Sequence, residues 1–181
     1  HGDLVVAEHL DLRAQFTKLL EANPDAIYIA NIGGGEMVMS IRTARELGFK
    51  GDRHDYHHPA NACLTLAIER RRGMPLTLAA LYRAVASRAG LVAELLPVPG
   101  HVLLRVTDGA SRRILDPFNG GRELDVGECR RYLKQHGLSW RDEYLEPASD
   151  THMFLRQVGN LGRSMQRSGL RLQAHRLASL R

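Results

Sequence analysis

The stretch "ERRRGMPLTLAALYR" (residues 69–83) decides how the chain folds. Three arginines run into a Gly73-Met74-Pro75 corner, after which Leu78, Leu81, Tyr82 and Val85 recur at helical spacing. The spacing predicts an amphipathic helix that closes at Gly90, a C′ glycine. Upstream, "ANACLTLAIERRR" predicts a second helix with Pro59 near its first turn and Cys63, Leu64, Ala67 and Ile68 along one face. Cys63 therefore reads as a small buried hydrophobe. Two helices meet at the corner. A helix N-terminus suits a nucleophilic thiolate, because unpaired N–H groups and the helix dipole lower its pKa. No cysteine or serine stands there.

Beyond Gly90 the period changes. "VAELLPV", "HVLLRVT" and "RRILD" are short strand-like runs parted by "PG" and "DGAS", the pattern of an antiparallel meander. "DPFNGGRELD" reads as a turn leading to a helix over 126–136, capped by Asp125 and stopped at Gly137. After "LEPASD", Phe154, Leu155, Val158, Leu161 and Met165 predict a helix, "SGLR" breaks it, and a last helical run follows. Helix, glycine turn, helix is how a helical-hairpin repeat begins.

The N-terminal part predicts a helix from Leu4 to Leu20 with Asp3 as N-cap. Gly33, Gly34 and Gly35 form a loop without the Lys-Ser/Thr or GxGxxG spacing of a phosphate cradle. Residues 38–47 read as helix ending at Gly48. In "KGDRHDYHHPAN", His54, His57 and His58 invite a metal reading; a solvated loop is the expectation, because adjacent histidines point apart on most backbones.

The chain has 181 residues, 44% apolar, enough for one sizeable core and an appendage. Its longest apolar run is broken by Glu94, Pro97, Pro99 and His101, short of the roughly 20 residues that span a bilayer. The first residue is His rather than Met, so the true start is expected upstream. Cys63 and Cys129 are far apart and fit a reducing cytoplasm. The net charge of +5 belongs to the tail: after residue 150 there are six arginines and no acid. One aromatic, Phe154, accompanies them, so a solvated basic face is expected rather than a nucleic-acid interface.

Three features carry chemistry: the corner at 73–77, His101 after "PVPG", and Asp116 in "ILDPFNGG". If the meander is right, His101 and Asp116 sit on neighbouring strand ends, where the carboxylate orients the imidazole. Helix N-terminus, then "GH", then "DP" resembles the Cys, His, Asp order of the transglutaminase-like superfamily. "ELGFKGDRHDYHHPANACL", "ERRRGMPLTLAALY", "GLVAELLPVPGHVLLRV", "ILDPFNGG" and "YLEPAS" together resemble its bacterial SirB-type family, whose members often carry tetratricopeptide-like repeats.

The resemblance implies an α+β fold: a papain/transglutaminase-like core with N-terminal helices packed on an antiparallel sheet, followed by C-terminal helices. It divides the chain into a poorly matched helical segment at 1–37, the core at 38–148, and a helical hairpin at 149–181 that would begin a tetratricopeptide-like repeat. His101 and Asp116 take the second and third triad positions. The first falls on Pro75 to Thr77, where the cysteine is missing, as is usual in the SirB-type family. The expectation is a non-catalytic protein-binding or regulatory module, with another protein or peptide as partner and no cofactor, metal, nucleic acid or membrane. The alternative is a cryptic hydrolase or acyl-transfer-type enzyme using His101 and Asp116 with Thr77 or Glu69. Glu69, Arg71, Pro75 and Asn119 are the candidate binding residues: Glu69 paired with an arginine to brace the corner, and Asn119 in a turn near His101.

Overall fold

The computed structural model describes residues 46–178, apart from Ala89 and Ala110. The helix expected over 4–20, the glycine loop at 33–35 and most of the helix over 38–47 lie outside the described residues. The end of that last helix is seen: Glu46 is helical, and Gly48 turns the chain at φ 80°.

Strand β1, Lys50–Gly51, is followed by a 3-10 turn, Pro59–Ala62, and helix α1, Leu64–Arg70. Strand β2, Arg72–Gly73, leads into helix α2, Pro75–Arg88. Next come β3, Val92–Leu96, β4, Leu103–Asp108, β5, Ser111–Asp116, a 3-10 turn, Pro117–Asn119, and β6, Arg122–Leu124. Helix α3, Val126–Gln135, a 3-10 turn, Asp142–Leu145, and helices α4, Asp150–Arg167, and α5, Arg171–Ala178, complete the described chain. The protein is an α+β structure whose main sheet is antiparallel, in the order β3-β4-β5-β6.

The sheet lies between α2 and α3. Period-2 alternation sends Leu104 and Val106 of β4 toward α2, where they join Leu78, Leu81, Tyr82, Leu95 and Leu115. Leu103 points the other way, into a smaller cluster with Leu96, Val98, Cys129 and Leu133 of α3. Leu78 and Leu104 are wholly buried, and each contributes about 1.5–3 kcal/mol from apolar burial alone. On the α3 side, Arg105 donates from Nε to Glu94 at 2.8 Å and from a terminal nitrogen to the Leu145 carbonyl at 3.0 Å. The "EPAS" segment returns to the sheet through Ala148 N–H and Leu95 C=O, 3.0 Å apart.

Several expectations are corrected. The helix after the corner is not amphipathic at its start: Pro75, Leu76, Thr77, Leu78 and Ala79 are all buried. The sheet covers one side of it, and α4 with the first 3-10 turn covers the other. The helix expected from Pro59 is broken at Cys63, whose extended backbone separates the 3-10 turn from α1. The register change leaves Cys63 half-buried and Leu64 exposed, with Ala67 alone fully buried in α1. "DPFNGGRELD" is more than a turn, since β6 pairs with β5 through Ile114↔Leu124 to Asp116↔Arg122.

A two-residue parallel pair, Lys50↔Arg72 and Gly51↔Gly73, ties the start of the described chain to the corner. Gly51 lets the chain pass close to Phe118: a Cβ there would lie 2.3 Å from the ring and displace it. At the other end, α4 inserts Met153 into the main core and packs along α5. Among the described residues, no helix is long and apolar enough to cross a membrane.

Candidate functional site

The register of the sheet assembles the site. Leu104 pairs with Leu115, so the residues just before β4 lie beside the end of β5, where Asp116 is the last residue. His101 Nε2 and Asp116 Oδ1 are 2.9 Å apart, and both side chains are buried. Asp116 also caps the following 3-10 turn. Its Oδ1 accepts from Asn119 N–H at 3.1 Å and its Oδ2 from Asn119 Nδ2 at 2.6 Å. Asn119 Oδ1 accepts in turn from the Arg53 guanidinium. Asn119 thus contacts the carboxylate rather than His101.

Burial alone would raise the Asp116 carboxyl. The hydrogen bond and charge of His101, with the two Asn119 donors, outweigh burial and hold it below the usual carboxylate range. The Phe118 ring meets the imidazole edge-on at 5.8 Å, and Tyr132 of α3 lies tilted against it at 5.5 Å. With Nε2 engaged by Asp116, His101 has Nδ1 left for a reactant or ligand, and that nitrogen makes no hydrogen bond among the described residues.

His101 lines a cavity of about 280 Å³ whose facing wall is Met74, Pro75 and Leu76, with Tyr56, His57, Arg156, Asn160 and Arg163 around the rim. The corner is held from below by Asn61, which is fully buried. Its carbonyl accepts from Met74 N–H at 2.8 Å. Its side-chain nitrogen donates to Asp55 O at 2.6 Å, Asp52 Oδ2 at 3.2 Å and Tyr56 O at 3.3 Å, and its Oδ1 accepts from Arg70 at 2.9 Å. The loop carrying His101 is held from α4, where the Arg156 guanidinium donates to the carbonyls of Val98 and His101, each at 3.2 Å.

The structure does not bring every expected residue to this place. Thr77 is buried one step further into α2, where its hydroxyl oxygen accepts from Gln157 Nε2 at 2.9 Å; no hydrogen bond joins it to His101. Glu69 is exposed on α1 and makes no ion pair among the described residues. The arginine that braces the corner is Arg70, through Asn61 and Asp52, the latter at 3.4 Å. Arg71 ends α1 in the left-handed region at φ 54° and donates to the Leu47 carbonyl at 3.1 Å. Of the loop histidines, His58 Nδ1 accepts from Ala60 N–H, capping the 3-10 turn, and His57 joins the cavity rim. Among the described residues, no group of three or more His, Cys, Asp or Glu is placed to hold a metal ion.

Asn61, Tyr132, Arg156 and Gln157 were not singled out from sequence. One signal was available: Arg156, Asn160 and Arg163 stand at i, i+4 and i+7, a polar stripe on one face of α4. Nothing local indicates that this stripe faces the corner, which lies far earlier in the chain at residues 73–77.

The class of protein defined here is an α+β domain in which a buried His–Asp pair and a helix N-terminus line one cavity. The comparisons agree with that class. The profile of the Transglutaminase-like superfamily matches residues 33–159, and the chain belongs to that superfamily. A UPF0162 protein of Xylella fastidiosa (strain Temecula1) is 38% identical over 123 residues, 65% of this chain and 44% of that protein. A UPF0162 protein of Pseudomonas aeruginosa is 36% identical over 93 residues, 51% of this chain and 33% of that protein. Human F-box only protein 21 is 34% identical over 99 residues, 50% of this chain and 16% of that protein. The chain therefore spans less than half the length of these relatives. No solved structure matches it.

Proposed function

We infer that this is a non-catalytic, SirB-type member of the superfamily with the papain-like arrangement of core, and that it serves as a protein-binding or regulatory module. One observation carries the reading: the wall facing His101 across the cavity is Met74, Pro75 and Leu76, which offer no nucleophilic atom. Losing a triad nucleophile removes most of the rate such a centre provides. The His101–Asp116 pair then fixes the loop before β4 against the end of β5, as a satisfied buried hydrogen bond.

The partner is another protein or a peptide, and the setting is the cytoplasm, in keeping with two free cysteines. The division at 37/38 and 148/149 belongs to the same reading, with α4 and α5 as the first unit of a tetratricopeptide-like array. Phe154, Leu155 and Leu172 are exposed on that hairpin and would be covered by a following unit.

The cryptic-enzyme alternative has less support, because Thr77 is bonded to Gln157 and Glu69 is out on the surface. The test is turnover. Purified protein incubated with activated esters and with glutamine-containing peptides is expected to show no rate above buffer and no acyl adduct by mass spectrometry. Turnover that disappears in His101→Ala would overturn the module reading.

A further inference from the structure

The cavity in front of His101 has a charge character that an idle site does not need. Besides the Tyr56 phenol, its ionisable lining residues are His57, His101, Arg156 and Arg163, and no carboxylate lines it among the described residues. Asp116 lies on the far side of the imidazole, engaged by Nε2 and by Asn119. Asp55 does not line the cavity; its carbonyl accepts from Asn61, and its exposed carboxylate is close enough to act electrostatically on His57.

The floor is the N-terminus of α2, a helix of 14 residues. The residue before Pro75 is Met74, which has no capping oxygen, so the first-turn amides of Leu76 and Thr77 lack the side-chain acceptor that usually satisfies them. His101 is 8% exposed and lines the cavity, and its Nδ1 makes no hydrogen bond among the described residues. Among the described residues, Arg156 donates to two carbonyls and to no carboxylate, while Arg163 donates to Asn160 alone, at 2.7 Å. Two guanidinium groups, a helix N-terminus and a buried imidazole therefore meet at one space that no carboxylate lines among the described residues.

We propose that this cavity binds an oxyanion, a carboxylate or phosphate group, seated between the N-terminus of α2, His101 and the Arg156–Arg163 face of α4. The inference rests on the module reading and says what the vacated corner holds. Removing the thiol leaves the features that would favour a thiolate, the helix dipole and a facing imidazole, and an anionic ligand group uses the same features. At about 280 Å³ the space is near the lower limit of small-molecule sites, which suits one charged group of a larger ligand or a small free anion. The arginines add bidentate donors suited to either kind of oxyanion.

The experiment follows the imidazole and α2 amide resonances of the whole chain by NMR at fixed ionic strength. Inorganic phosphate, acetate and a short peptide with a free or an amidated C-terminus are added up to about 50 mM, which covers sites weaker than millimolar. His101 and the Leu76 and Thr77 amides are expected to shift with saturation. Arg163→Gln and His57→Gln alter exposed side chains and should leave the fold intact, and each is expected to weaken binding about tenfold, equivalent to about 1.4 kcal/mol. Saturation by phosphate or acetate without the peptide identifies a free anion as the ligand; saturation by the free-carboxyl peptide alone identifies a chain terminus. Both outcomes support the site.

Absence of saturable shifts with every probe overturns the proposal, as does binding unaffected by both variants, or binding only of peptides that ignores amidation. Turnover dependent on His101 would sink the module reading even if the anion binds. No binding and no turnover would sink this inference alone.

Discussion

Replacing Asn61 by alanine should cost far more than a surface amide is worth. Its side chain makes four hydrogen bonds while fully buried. Asp52 keeps the backbone donors of His54 and Asp55, and Arg70 keeps Asp52 as a partner. Those two bonds are therefore partly compensated. The Asp55 carbonyl loses a 2.6 Å donor and the Tyr56 carbonyl a weaker one at 3.3 Å. Stranding a buried polar group costs about 1–3 kcal/mol, and the lost contact to Arg70 is charge-assisted. Together with the small void, the expected loss is about 3 kcal/mol. In a chain of this size that corresponds to a fall of about 6–12 °C in melting temperature.

Asn61→Asp separates the mechanism from simple loss of volume. It keeps the shape but sets a second carboxylate against Asp52 Oδ2, now 3.2 Å from the amide nitrogen. Asn61→Asp should be less stable than Asn61→Ala at pH 7, and should recover part of the difference as the two carboxylates protonate toward pH 3. Calorimetry and urea titration of both variants decide the matter. A melting-temperature loss below about 2 °C for Asn61→Ala, under 1 kcal/mol by the same scaling, would refute the claim that Asn61 holds the corner.

Two further outcomes follow from the site. The Asp116 carboxyl is held low in the fold, so its stabilising contribution is present above about pH 4, where an unfolded aspartate is ionised, and is lost as pH falls through the lower folded value. Asp116→Asn should lose about 1–3 kcal/mol at neutral pH and converge on the parent protein in acid; urea midpoints that stay parallel from pH 7 to pH 3 would contradict this. Cys129 is buried, and burial, reinforced by Asp125, Glu128 and Asp116, pushes its thiol up to about 11. At pH 8 iodoacetamide should label half-buried Cys63 in the native protein and Cys129 only after unfolding, and equal native labelling rates by peptide mass mapping would refute that account.

Much of the framework was legible because its signals act over a few residues. Gly90, Gly137 and Gly169 all adopt positive φ where helices were expected to stop. Asp125 caps α3 in a reciprocal box with Glu128. The change of period after Gly90 marked the three longer strands, and the meander order was enough to bring His101 beside Asp116. The residue types at the start of α2, Pro75, Leu76 and Thr77 with no cysteine among them, were equally readable.

The tertiary structure decided everything that depends on distant partners. The parallel pair β1–β2 and the closing strand β6 are too short to show a periodicity, so pairing alone defines them. Gln157 reaches the Ala62 carbonyl and Thr77, and Arg156 reaches the His101 carbonyl 55 residues away. Those contacts turn Thr77 into a packed core residue and the polar stripe of α4 into the rim of a cationic cavity. A local pattern reports how a segment prefers to fold and which side it buries. It carries no record of which other segment arrives there, and at this corner the arrival of α4 sets which groups line the cavity beside His101.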